Sequence, residues 1–205
     1  MNKLPMEDCM EKHKIGLINS LNQSLEKNGI DKKIHQKIME SAELVKPSST
    51  PKAMAEWCFN AMCKMDELLE DDIKRKVRED CACCLGGKQK KLCTEVNKKY
   101  MTSDERINAI NETHSVFGHE IKVSGKGKYE VKFYEETLPE YKCVCSRFKL
   151  NGLNKKWSKT WCYCCAGHVK HHLETLLEKQ LKVKVISSAL SSIGKKNCHF
   201  ELMEL

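Results

Sequence analysis

Near residue 118 the spacing of apolar side chains changes from helical to alternating, and that change restricts the chain to a mixed architecture. Before it, residues 6–28 place Met10, Ile15, Leu17, Ile18, Leu21 and Leu25 at helical intervals, and Asn28-Gly29 supplies a stop. Residues 31–45 repeat the pattern with Ile34, Ile38, Met39 and Leu44. The run Lys46–Pro51 reads as a loop, with Thr50 as cap and Pro51 at the first position of a third helix over about 51–69. A fourth helix is expected over about 71–84, terminated by Gly86-Gly87. Short helices are expected over 89–98 and 103–114, the latter capped by Ser103 with Arg106 where a capping-box acid would stand. After 118, residues 119–124, 129–135 and 141–149 alternate and are rich in Val, Ile, Tyr and Phe. A helix over 161–180 follows, then strands near 182–189 and 197–204 joined at Gly194. The expected fold class is α+β: a helical N-terminal half followed by an antiparallel β-sheet with a packed C-terminal helix. The regions 1–117 and 118–205 are expected to form one compact unit.

The chain's 205 residues suffice for one ample core, and 31% charged residues describe a globular protein. No apolar run approaches the ~20 residues that span a bilayer, so no membrane association is expected. The first residues lack the apolar segment of a secretion signal, so the expected location is cytoplasmic, where thiols stay reduced. An odd count of 13 cysteines also fits poorly with a closed disulfide framework. The net charge of +8 is read as a lysine-rich solvated surface, because no nucleic-acid-binding module accompanies Lys88, Lys90, Lys91, Lys98 and Lys99. Nucleic acid is thus not an expected partner.

Nine of the 13 cysteines fall in two short regions. Clustered thiols can share a metal or exchange electrons, whereas scattered ones usually pack. On the helix over 161–180, Cys162 and Cys165 share a face with Val169, Leu173 and Leu176, while Cys164, His168 and His171 lie to the other side. Cys143 and Cys145, two apart on an expected strand, point to one side and could meet the start of that helix. A first metal site is therefore expected from a subset of Cys143, Cys145, Cys162, Cys165 and Cys198. A second candidate site comprises Cys81, Cys83, Cys84 and Cys93 around the flexible glycines. Zinc is the expected metal, with an iron–sulfur cluster as the alternative. Cys164 as nucleophile and His168 as its base would instead make a thiol-dependent hydrolase, and disulfides between the two regions a redox enzyme. Whether the chain is catalytic stays open. Plain packing is the remaining reading for these thiols, and it is the one adopted for Cys58 and Cys63 in the third helix.

The C-terminal motifs carry a family resemblance. The run Trp161-Cys162-Tyr163-Cys164-Cys165-Ala166-Gly167-His168, the segments Leu173–Leu177 and Val183–Val185, and Gly194-Lys195-Lys196-Asn197-Cys198-His199-Phe200 resemble the end of a 4-vinyl reductase domain. That domain shares its fold with TRAPP-type transport-complex subunits and with ligand-sensing regions of bacterial regulators. Cys-Tyr-Cys-Cys-Ala-Gly is also similar to the cysteine motif of bacterial thiazoline-carboxylate hydrolase-like proteins and families of unknown function. The resemblance covers roughly residues 118–205. It implies a small-molecule ligand between helices and sheet, frequent pairing into homodimers, and a zinc held by a helix cysteine, an acid and two cysteines around the last strands. The helix cysteine carries onto Cys162 or Cys165 and the last cysteine onto Cys198. The intervening cysteine falls at Leu190 and the acid at Ser187, so Cys143 and Cys145 are the inferred replacements. Together these readings describe a cytoplasmic, cysteine-rich small-molecule-binding or sensing protein with a thiolate zinc site.

Overall fold

The computed structural model describes residues 6–46, 48–113, 116–143, 145 and 155–205, with side chains from residue 16 onward. Its front half is helical. α1 (Met6–Lys27) leads into α2 (Lys32–Ile38), whose N-terminus Asp31 caps by accepting from the amides of Lys33 and Ile34. α2 is shorter than expected because Ser41 takes a left-handed conformation, after which only a single 3-10 turn forms at Ala42–Leu44. α3 (Pro51–Leu68) starts where expected, with Thr50 accepting from Ala53 at 3.2 Å.

α4 (Asp71–Asp80) stops four residues before its expected end. The amides of Cys81 and Ala82 turn back to the carbonyls of Arg78 and Glu79, and Cys84 is left-handed at φ 61°, so Cys81–Leu85 is loop. Gly86 and Gly87 therefore do not close α4; they open α5 (Gly87–Lys99). α6 (Ser103–Asn111) also corrects the cap. Thr102, one residue earlier than expected, accepts from the Glu105 amide, and Glu105 accepts from the Thr102 amide at 3.0 Å. Moving the cap by one residue puts the acid in the third position and completes the capping box.

The sheet is four-stranded and antiparallel in the order β1-β2-β4-β3, from β1 (Glu120–Gly125), β2 (Lys128–Lys132), β3 (Leu181–Ser187) and β4 (His199–Glu204). Register aligns Val131, Phe200 and Val185 in one row and Tyr129, Leu202 and Val183 in the next. These side chains are buried on one face, while Lys182, Lys184, Glu201 and Lys128 alternate outward. The strand expected over 141–149 is not seen at Tyr141–Cys143 or Cys145, and the rest of that segment lies outside the described residues. β4 takes the place beside β2, and Tyr141 instead donates its amide to the Gly194 carbonyl at 2.9 Å.

α7 (Lys159–Leu177) packs across the apolar face of the sheet with Val169, Leu173, Leu176 and Leu177. Its other side is covered by α4 and α5, so the helix is buried nearly all round. Gly167 makes that crossing close. A Cβ there would stand 2.7 Å from the Glu79 carbonyl oxygen and 3.0 Å from its Cα, so only glycine admits the end of α4. One apolar cluster runs from Leu21 and Met65 in the helical half through α7 to Phe200 in the sheet. Among the described residues no helix is long and apolar enough to cross a membrane.

Candidate thiol centre

α7 opens on a fixed platform. Ser158 accepts from the Thr160 amide at 3.0 Å, and the edges of Phe59, Trp157 and Trp161 pack in succession with ring centres 5.3 Å apart. From that first turn, Cys162 points toward the connection between β3 and β4, where its thiol donates to the Ser188 hydroxyl at 3.2 Å. The next residue, Ala189, donates its amide to the Cys198 sulfur at 3.4 Å. Ser188 itself is locked by its bonds to the amide and hydroxyl of Ser191. A helix thiol and the thiol just before β4 thus both reach the Ser188–Ala189 corner of the β3–β4 connection.

Cys165, one turn further along α7, shares a thiol–thiol hydrogen bond with Cys145. Cys143 interacts electrostatically with Cys145 and Cys198, and Cys162 with Cys198, Cys143 and Cys145. The five cysteines expected for the first site thus lie on three segments that neighbour one another. Burial pushes the Cys143 thiol up to about 12 and raises those of Cys162 and Cys198. The Cys165 thiol is raised first by its bond to Cys145 and then by burial. Among the described residues, no three or more His, Cys, Asp or Glu side chains are arranged to hold a metal ion. The donor chemistry suits a soft ion, but loading would require the sulfurs to close in. Of the two positions where the family resemblance expects ligands, Leu190 is buried and Ser187 donates to the Asn197 carbonyl.

The second cysteine region is built differently. Cys81 is buried and its thiol donates to the Val77 carbonyl at 3.2 Å, while Cys93 is buried within α5, with burial raising it to about 12. Cys83 is half-buried and Cys84 exposed. What this loop turns toward α7 is backbone. The Cys81 carbonyl accepts from the Cys164 thiol at 3.1 Å, that of Cys83 from His168 Nδ1 at 3.1 Å, that of Cys84 from His172 Nε2 at 3.0 Å, and that of Leu85 from His171 Nε2 at 3.0 Å. Cys164 and His168, the nucleophile and base of the hydrolase reading, are thus each engaged with loop carbonyls. His172 is fully buried, and burial lowers its pKa to about 4. Sequence spacing puts His168 and His171 on one side of the helix, but nothing in it identifies carbonyl partners 85 to 88 residues away.

Between the two regions sits a residue that sequence reading passes over. Arg78 is 1% exposed, with Nη2 donating to the Trp161 carbonyl at 3.3 Å and the guanidinium carbon 4.9 Å above the Trp161 ring. Its Nε and Nη1 have no hydrogen-bond partner among the described residues. Burial opposes its charge, while the thiols of Cys81, Cys164, Cys58 and Cys145 around it favour the charge, and the balance holds it above its ordinary range. Cys58, read from sequence as a packing residue, is buried in the core as expected, whereas Cys63, read the same way, is exposed. The available signal was that Arg78 stands three residues before Cys81 and so shares its helix face.

A groove of about 650 Å³ opens beside the N-terminus of α7, lined by Asp66, Asp71, Lys74, Arg75, Tyr163 and Lys184 among others, and no cysteine lines it. No protein-family model, curated protein or solved structure matches this chain. The 4-vinyl reductase resemblance accordingly rests on its quoted motifs alone.

Proposed function

We propose that this protein is a cysteine-rich binding or sensing module built on a buried thiolate metal centre, with zinc as its occupant. The observation that supports the reading is the electrostatic coupling among Cys143, Cys145, Cys162, Cys165 and Cys198, which come from a connecting segment, α7 and the position just before β4. Thiols from distant parts of a chain can close around one soft ion, which displaces their protons and stabilises the folded arrangement. The setting is cytoplasmic, and the charged groove beside α7 is where a polar small-molecule ligand would bind. Metal analysis of the full chain purified anaerobically tests the centre. One zinc per chain is expected, lost when Cys143, Cys145 and Cys162 are replaced by serine. Absence of stoichiometric metal, or its full retention in that variant, contradicts the reading. A brown protein with visible absorbance would assign the thiols to an iron–sulfur cluster instead.

The thiol–thiol bond between Cys165 and Cys145 favours a second reading, a redox pair. Its oxidation would join the two sulfurs and pass two electrons and two protons to an external disulfide, which becomes two thiols. Loss of two titratable thiols on mild oxidation, restored by dithiothreitol and absent from the Cys145→Ser variant, would mark that activity.

A further inference from the structure

The groove beside α7 is lined by charges that cancel on its helical side and do not cancel on its sheet side. On the helical side Lys74 reaches Asp71 at 2.7 Å and Asp66 at 3.5 Å, and Arg75 reaches Asp72 at 2.9 Å and Glu79 at 3.3 Å. Thr160, in the first turn of α7, donates its hydroxyl to Asp66 at 2.6 Å. On the sheet side, strand alternation buries Val183 and Val185 and turns Lys182 and Lys184 outward, where both are exposed. Among the described residues neither of these lysine side chains has an ion-pair or hydrogen-bond partner. Lys159 also lines the groove, and its ammonium donates to the Ile186 carbonyl at 2.7 Å rather than to an acid. Glu201, opposite Lys184 in register, is the one lining acid without a cation among the described residues. Three lysines without carboxylates are thus set against one glutamate.

We infer that this groove binds a small molecule carrying a phosphate monoester, with Lys182 and Lys184 holding the phosphate. The inference rests on the reading above that a polar ligand occupies the groove, and it is independent of the metal centre. Two residues apart on one strand, the lysine backbones stand about 7 Å from each other, and their long stems let both ammonium groups converge on one anion. Lysine meets phosphate as a point charge, whereas a planar carboxylate is matched best by a two-pronged guanidinium. The one guanidinium lining the groove, on Arg75, is already engaged by Asp72 and Glu79. The excess left after Glu201 offsets one lysine suits a phosphate monoester, which carries about two negative charges at neutral pH. Tyr163 lines the groove half-buried, and its hydroxyl donates to no acceptor among the described residues, so its proton is available to a ligand oxygen. At about 650 Å³ the groove has room for an organic portion beyond the phosphate.

Amide NMR spectra of the full chain, titrated at constant ionic strength with phenyl phosphate, succinate or putrescine, test this. Phenyl phosphate is expected to shift the amides of Tyr163, Val183 and Val185 along a saturable curve. Its affinity should fall about tenfold or more in the Lys182→Gln/Lys184→Gln variant, which loses both charge-assisted contacts. The Lys122→Gln/Lys128→Gln variant, altered on the same open face of the sheet but outside the groove, should bind as the parent does. All four lysines are exposed, so both variants keep the fold, and their spectra verify it. Equal losses in the two variants would mean a general field of surface lysines and overturn the inference, as would unchanged affinity in Lys182→Gln/Lys184→Gln. Saturable shifts at the groove with succinate or putrescine, but not with phenyl phosphate, overturn the phosphate class and leave the ligand reading of the groove standing. No saturable shift at the groove from any of the three probes removes both.

Discussion

Two regions of this chain are equally dense in cysteine, yet they present opposite parts of the residue to α7. Around Cys162 and Cys198 the side chains turn inward and sulfur meets sulfur or hydroxyl. Across the loop Cys81–Leu85 the carbonyls turn inward, accepting from one thiol and three histidines, and Cys84 points outward. Local density of a residue type therefore says that a segment is special without saying which of its atoms are used. The contrast has a backbone cause. Cys162 and Cys165 are held by a regular helix that fixes their direction, whereas the loop has left its helix, with Cys84 left-handed, and exposes unsatisfied carbonyls that need donors.

The strongest way to break this comparison is to separate the two regions. Gly167→Ala places a Cβ against the Glu79 backbone, so α4 and its loop must move off α7. A loss of about 1–3 kcal/mol is expected in chemical denaturation, the scale of overpacking a tight contact. Unchanged stability would mean that α4 and α7 do not cross so closely.

Acid should act on the loop side selectively. His172 donates through Nε2 to Cys84, leaving Nδ1 buried with no partner among the described residues, so a second proton there finds no acceptor among them. Its folded pKa of about 4 lies below the ordinary 6.5, and the neutral ring is the form the fold favours. The associated stability is complete above pH 6.5 and is lost as pH falls from 6.5 toward 4, as the unfolded chain takes up the proton first. His168, lowered by burial, adds in the same direction. Unfolding midpoints measured across that range should fall in the parent and fall less in His172→Gln; parallel curves would contradict the buried neutral histidine.

The smallest effect sharpens the contrast. Cys84→Gly removes an exposed thiol from a left-handed position and should stabilise the protein, or leave it unchanged, within about 1 kcal/mol. A large loss would show that the Cys84 sulfur has an essential contact.

Much of this architecture was legible because it depends on local periodicity. The α+β class, the start of α3 at Pro51, the turn at Gly194 and the division of α7 between Cys162 and Cys164 all follow from spacing along one element. Element ends were less legible, since the α4 stop depends on loop carbonyls finding histidine donors far away in sequence. Cys143, Cys145, Cys162, Cys165 and Cys198 were expected to share a site; they neighbour one another, but among the described residues no three are arranged to hold a metal ion, and the strand meant to present the first two is absent at its described residues. Arg78 was hidden because it follows a run of charges, Lys74-Arg75-Lys76, and its burial depends on the packing of α4 against α7. The groove near α7 likewise depends on side chains from five elements, which no single stretch of sequence reveals.

The central claim is that the α7 side of the molecule uses sulfur and the loop side uses backbone. An anaerobic zinc titration of the full chain, recording bound zinc and released protons together, tests it most directly when run beside two double variants. The parent and the Cys83→Ser/Cys84→Ser variant should each bind one zinc and release about two to four protons, while Cys145→Ser/Cys162→Ser should bind none tightly. Tight zinc in the α7-side variant, with its loss from the loop-side variant, would contradict the account.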